Sequence, residues 1–320
     1  MKIKPKALKP GDTVSLVAPA SYANSPSAIY FCKAALEDLG YRVIEGKSLN
    51  KRWGYLAGTD EERLNDLMDA FQNPNINGIF CLRGGYGSMR LLSMLDYNLI
   101  KANPKVFVGF SDITAMQLAI YRETGLVTFH GPVVNSLVRN KEAGTYSVEN
   151  LHRATTSSKP LGKIKNPEKG HYVVALNGGV ASGDLVGGNL SLICATLGTP
   201  YEIDTTNKIL FLEEVGEEPY RIDRMLTQLE LAGKLKDIAG LIVGESVNCR
   251  PREYMPSFSS TFNIEEILVQ KVEKLNVPAI YGMTIGHGKH QATLPLGVKA
   301  TLDADQGHLL IRESAVVNSY

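Results

Sequence analysis

Several features that mark common protein classes are scarce in this 320-residue sequence. It has only four cysteines, Cys32, Cys81, Cys194 and Cys249, far apart and set in apolar helix or strand patterns. None has metal-ligand or redox spacing, so they read as buried, reduced thiols in a cytoplasmic protein, which excludes a disulfide framework. Cys81, beside a glycine-rich loop, is the best placed of the four for a catalytic role. No H-E-x-x-H or C-x-x-C occurs, and the acidic pairs lack partnering histidines, so neither a metal site nor a cofactor is expected. Net charge is also scarce, at +1. No basic block is present to follow nucleic acid or an anionic membrane, so neither is an expected partner. No apolar run approaches the length of a membrane span. No apolar segment follows the basic start Met1–Lys6, so a secretion signal is not expected. Tryptophan occurs once, as Trp53.

The length suffices for two domains and a large core, and 44% hydrophobic with 21% charged residues is ordinary for a globular chain. Strand and helix patterns alternate through the first 130 or so residues: strands at Thr13–Val17, Tyr41–Ile44, Gly78–Leu82, Val106–Gly109 and Leu126–Phe129, with helices at Ala28–Leu39, Asp60–Phe71, Ser88–Leu95 and from Thr114. This predicts an α/β fold: an N-terminal doubly wound, mostly parallel sheet over 1–155. Residues 156–177, rich in Thr, Ser, Lys, Pro and Gly, read as a linker. Over 178–320 a smaller, mixed α/β C-terminal domain is expected. It contains a glycine loop at Gly187-Gly188-Asn189, helices at Tyr220–Ala232 and Ile264–Leu275, a surface insertion at Pro251–Phe262 and a closing hairpin, Leu294–Asp303 with Leu309–Arg312.

In doubly wound sheets the chemistry collects at the strand C-terminal ends. Four loops there stand out: Ala18–Ser21, Arg83–Gly87, Gly109–Asp112 and Phe129–Pro132. In Val106-Phe107-Val108-Gly109-Phe110-Ser111-Asp112, a buried run stops at Gly109 and a helical pattern begins near Asp112. Ser111 therefore sits on a sharp strand-to-helix turn. Two readings stand side by side: a nucleophile held beside free helix N–H groups, or simply the N-cap of the next helix. An active serine needs a base and a group to orient it. His152, His171, His290 and His308 lie in polar surroundings and read as surface residues. His130 and His287 each follow an apolar strand and sit against glycine, so they are the candidate bases. Glu213 and Glu214 end the run Ile209–Leu212, and strand alternation puts them on opposite faces, one able to enter a cleft. A solvated acidic loop is the plainer alternative, and Glu245 is a further candidate of the same kind. The Arg83–Gly87 loop fits a phosphate cradle poorly, because it lacks the required spacings. It serves either as a tight loop before Ser88 or as an oxyanion donor facing Ser111.

Taken together and in order, Leu82-Arg83-Gly84-Gly85-Tyr86-Gly87, Gly109-Phe110-Ser111-Asp112-Ile113-Thr114, His130-Gly131-Pro132, Gly187-Gly188-Asn189-Leu190, Phe211-Leu212-Glu213-Glu214 with Tyr220–Arg224, and Gly286-His287-Gly288 with Leu294-Pro295-Leu296-Gly297 resemble the LD-carboxypeptidase family of serine peptidases. That family includes murein tetrapeptide carboxypeptidases and microcin-C self-immunity peptidases. The resemblance implies a triad of Ser111 as nucleophile, Glu213 as orienter with Glu214 as fallback, and His287 as base. It implies an oxyanion hole from the backbone N–H of Asp112 and of Gly84 or Gly85. Arg83, with Tyr86 and Asn189, is the candidate set for substrate binding, Arg83 for a terminal carboxylate. It further implies an active site built from two domains, a cytoplasmic homodimer, and cleavage between the L-centre of a diamino acid and a terminal D-alanine of a murein peptide. Action on peptidyl-nucleotide antibiotics is the alternative. There Trp53 is far in sequence from the second-domain loops, while Tyr254 and Phe258 lie in the insertion. A non-catalytic ligand-binding protein is a third reading, opposed by candidates for all three triad positions.

Overall fold

A computed structural model describes residues 2–139, 144–167 and 172–318. The chain forms two compact units. The first comprises Met1–Pro160, Lys289–Gly297 and Ser314–Tyr320, and the second Leu161–Gly288 and Val298–Glu313. Chain order is therefore not unit order, because two late segments return to the first unit. Among the described residues, no helix is long and apolar enough to cross a membrane.

In the first unit the elements run β1 (Thr13–Val17), α1 (Pro26–Asp38), β2 (Arg42–Glu45), α2 (Asp60–Gln72), β3 (Gly78–Cys81), a 3-10 helix at Ser88–Met94, α3 (Tyr97–Ala102), β4 (Val106–Gly109), α4 (Ile113–Thr124), β5 (Phe129–His130), α5 (Val134–Arg139) and α6 (Gly144–Thr156). Strands β1 to β5 pair in parallel in the order 2-1-3-4-5. The order reverses between β1 and β3, the switch point at which doubly wound sheets gather their functional loops. Helix starts follow local chemistry. Ser25 caps α1 ahead of Pro26, and Thr59 with Glu62 closes a capping box on α2. Gly125, at φ +77°, ends α4. The sequence carries no sign of α3, α5 or α6, since the six-residue α3 and α5 show too few turns for a period and the 13-residue α6 is largely polar.

The second unit contains β6 (Gly162–Ile164), β7 (Val174–Asn177), β8 (Val180–Asn189), α7 (Leu190–Ala195), β9 (Lys208–Val215), α8 (Pro219–Leu231), β10 (Gly240–Val247), α9 (Ile264–Val272) and β11 (Ala279–Met283). Next in the chain comes β12 (Leu294–Pro295), which pairs antiparallel with β5 of the first sheet. The hairpin expected from Leu294 is therefore shorter, formed by β13 (Lys299–Asp303) and β14 (His308–Ile311) alone. The mixed sheet runs β6-β14-β13-β8-β9-β10-β11-β7, with β8 to β11 parallel. Two corrections concern local chemistry. The stretch read as a linker holds β6 and β7, edge strands that need few apolar residues and so carry no strand signature. The Gly187-Gly188-Asn189 loop is the end of β8. Its Gly187 sits at φ +147°, where a side chain would overlap the Phe211 carbonyl of β9.

Gly187→Ala therefore should lower stability by about 3 kcal/mol or more, or block folding, in urea denaturation. Gly11→Ala, at φ +85° in open space, should cost only about 1 kcal/mol. Equal losses at the two positions would contradict this packing.

Candidate functional site

The first unit presents Ser111. Strand β4 is wholly buried. A side chain at Gly109 would press on Ile113 at 2.7 Å, so only glycine lets the chain turn there into α4. Ser111 adopts φ +64°, a left-handed conformation that is unfavourable for a residue with a Cβ. The N-cap of α4 is Asp112, one residue on, so Ser111 is not the cap. The turn is fixed from beneath. Gln117 Nε2 donates to the carbonyls of Gly109 at 3.0 Å and Phe129 at 2.7 Å, tying β4 to β5.

The glycine loop after β3 lies against this serine. A side chain at Gly84 would come within 3.1 Å of Ser111 Oγ and 3.3 Å of Asp112 N. One at Gly85, φ +110°, would overlap the Ser21 hydroxyl from the loop after β1. The loop is braced twice. The Asp112 carboxylate, 2% exposed, accepts Ser88 N at 2.8 Å, and burial raises its pKa above the ordinary carboxyl value while these hydrogen bonds oppose the rise. The fully buried Arg63 side chain donates to the carbonyls of Gly87 at 3.0 Å and of Pro19, so one guanidinium joins the exits of β3 and β1. Asp60 pairs with Arg63 and also takes a bidentate bond from Arg90 at 2.6–2.9 Å. The sequence places Asp60, Ser88 and the Asp112 carboxylate only at helix starts, and neither their bracing contacts nor Arg63 is foreseen there. The signal was the position of Arg63 on the buried stripe of α2 with Leu67 and Phe71, where a lone arginine marks a bracing contact.

Among the substrate-binding candidates, Arg83 Nη1 donates to two neutral oxygens, Asn24 Oδ1 at 2.6 Å and Tyr22 O at 3.2 Å. The half-exposed Tyr86 donates its backbone N–H to Ser21 Oγ at 3.1 Å, and its ring meets Tyr55 edge to face. Asn189 in the second unit is 3% exposed. Its Oδ1 accepts Leu192 N to cap α7, and its Nδ2 donates to Glu214 Oε1 at 3.2 Å. Its side chain thus supports the fold of its own unit.

The second unit brings Glu213 and His287 together. Glu213, 1% exposed near the end of β9, places Oε2 2.7 Å from His287 Nδ1. A carboxylate at Nδ1 holds the ring proton there and leaves Nε2 as the basic nitrogen. Alternation sends Glu214 to the other face, where it accepts Ser191 N at 2.8 Å and Ser191 Oγ at 2.7 Å. Burial raises the Glu214 pKa, and its bonds to Ser191 oppose the rise. The histidine loop needs its glycines. A side chain at Gly286, φ +92°, would overlap the Glu213 carboxylate, and one at Gly288 would overlap that of Glu245. A bulge in β10 sets Gly244 and Glu245 opposite Glu213, which turns Glu245 toward Gly288.

The remaining candidates lie in other surroundings. His130 is 1% exposed, edge-on to Phe110. His290 packs edge-on against Tyr146, and His308 is half-buried beside Lys163. His152 is exposed on α6, and His171 lies outside the described residues. Cys81 is wholly buried, and desolvation raises its thiol far above the range in which a thiolate forms, which removes it as a nucleophile.

Residues 14–131 match the LD-carboxypeptidase N-terminal domain and 182–302 the C-terminal domain. A probable murein peptide carboxypeptidase of Bacillus subtilis is 41% identical over 95% of this chain and 92% of its own length. The murein tetrapeptide carboxypeptidase of Pseudomonas aeruginosa is 32% identical over 92% of this chain and 94% of its own. Among solved structures, the microcin C7 self-immunity protein MccF superposes with a TM-score of 0.91 at 25% identity, over 98% of this chain and 99% of that one.

The Asp112 carboxyl sets a pH dependence of stability. Its native pKa lies above the ordinary 3.8, so over the interval between the two values the folded state binds more protons than the unfolded. Through this group, stability falls as pH rises across that interval and is lowest above it. Asp112→Asn keeps an acceptor for Ser88 N and removes the ionisation. The difference in urea midpoint should shift in favour of the variant as pH rises from about 4 upward. A difference that stays constant with pH would contradict this.

Proposed function

This chain belongs to the LD-carboxypeptidase family, and we propose that it is a serine peptidase that removes the terminal D-alanine from murein tetrapeptides. The observation that carries the reading is Ser111 itself. A residue with a side chain holds φ +64° on a turn packed against glycine backbone, a strain of about 1–3 kcal/mol that folds retain where the geometry is used. The names of the murein carboxypeptidases above support the substrate.

In the proposed reaction, His287 Nε2 takes the Ser111 hydroxyl proton as Oγ attacks the carbonyl of the L-centre. The backbone N–H of Asp112, with that of Gly84 or Gly85, receives the oxyanion, each such donor being worth about 3 kcal/mol. His287 returns the proton to the amine, D-alanine departs, and an acyl ester remains on Ser111. Water, deprotonated by His287, then releases the shortened peptide. Glu213 keeps the imidazole in its tautomer and stabilises the imidazolium. Arg83, whose partners among the described residues are neutral oxygens, is assigned the terminal carboxylate of the substrate. The reaction draws groups from both units. The family resemblance supports a cytoplasmic homodimer.

The likeness to MccF keeps one second reading, cleavage of a peptidyl nucleotide. Mass spectrometry of D-alanine released from a murein tetrapeptide tests the first. Ser111→Ala should lose at least about 10³-fold in rate while unfolding like the parent. Glu213→Gln should lose about 10²-fold or more. Glu214→Gln should stay within about tenfold and instead lose about 1–3 kcal/mol of stability. Cleavage of a peptidyl-adenylate analogue without any release of D-alanine would overturn the murein reading in favour of the second.

A further inference from the structure

Beside the glycine loop, the first unit exposes aromatic rings that the proposed chemistry leaves unused. Trp53, Tyr55 and Tyr86 are 51%, 59% and 49% exposed. The Tyr55 and Tyr86 rings meet at 5.3 Å and 78°, and the Arg90 guanidinium lies 5.6 Å from the Trp53 ring centre. These rings stand on anchored loops. Trp53 and Leu56 exchange backbone hydrogen bonds at 2.9 and 3.0 Å, Leu56 also bridges to Ser21, and Ser21 Oγ accepts Tyr86 N. A side chain at Gly87 would overlap Leu56, so the Trp53–Leu56 turn is packed directly on the loop that carries Tyr86.

We propose that Trp53, Tyr55 and Tyr86 form a platform for the pyranose ring of a sugar-bearing murein peptide. Position supports it. Tyr86 lies two residues from Gly84, which packs on Ser111, so the platform begins within about 10 Å of the serine. A tetrapeptide cut at its last bond has three residues on the acyl side, about 10 Å of extended chain, and the sugar of a murein peptide is joined beyond them. Shape supports it too. Rings crossing at 78° make a corner, with one aromatic face for the C–H face of a pyranose and tyrosine hydroxyls at its rim for the sugar hydroxyls. A flat nucleobase is better served by parallel rings. Arg90, the cation over Trp53, is held in place by its bidentate bond to Asp60, so the edge of the platform is rigid and carries hydrogen-bond donors for sugar hydroxyls.

The inference rests on the murein-peptide reading, and its test is separable from turnover because Trp53 is the sole tryptophan of the chain. The full-length Ser111→Ala protein is titrated with N-acetylmuramoyl tetrapeptide, with the same tetrapeptide lacking the sugar, and with AMP. Trp53 emission reports the platform, and calorimetry gives the affinities. The sugar should shift the emission saturably and tighten binding about tenfold over the free tetrapeptide. Tyr55→Ala, at the exposed tip, should bring that ratio to within about twofold, and Tyr86→Leu should do the same. A tenfold ratio that survives both substitutions, or no advantage of the sugar-bearing peptide, would overturn the platform. So would a saturable shift with AMP and none with the sugar. Failure of the murein reading shows elsewhere, as a parent enzyme that releases no D-alanine from the free tetrapeptide.

Discussion

The left-handed backbone at Ser111 is the constraint on which the rest of the first unit depends. A residue with a Cβ does not hold that conformation unless its surroundings leave no alternative. Here Gly109 lets the chain turn, the buried Gln117 ties the turn to two strands, and a wholly buried helix face follows. The strain is local, and the restoring contacts are spread over two strands, the glycine loop and a helix. That division keeps the hydroxyl raised at the end of the sheet.

The second unit solves a different problem, the burial of a carboxylate. Removing an ionised glutamate from water is costly unless it is paired. His287 Nδ1 at 2.7 Å supplies the partner for Glu213. Glu214, its neighbour in sequence, is buried on the other face and is held by the start of α7. Two adjacent glutamates thus take unlike environments because a strand alternates its faces. The bulge in β10 and the glycines on either side of His287 allow the histidine loop to approach both Glu213 and Glu245.

Much of this was legible in the sequence. Strand and helix alternation, with capping residues at the helix starts, locates most long elements to within a few residues, α6 and β8 being the exceptions. It also marks the turn at Gly109–Asp112 as unusual. What stayed hidden has a common physical cause. Edge strands such as β6 and β7 bury little and so lack a pattern. The return of β12 to the first sheet is a long-range pairing with no local signal. The Arg63 brace needs two distant loops to meet at one guanidinium of α2. Side-chain identity also misleads where a backbone contact decides the outcome. Gly187-Gly188-Asn189 reads as a loop, yet its glycines serve a strand packed against Phe211.

The central claim is that Ser111 is a nucleophile activated by the His287–Glu213 pair. A serine-directed fluorophosphonate tests it directly, by peptide mapping of the labelled protein. The account predicts one label per chain, on Ser111, with D-alanine release lost in proportion to labelling and with labelling slowed about 10²-fold or more by His287→Ala. Undiminished release after complete labelling of Ser111, or stoichiometric loss of activity with the label on another residue, would contradict it.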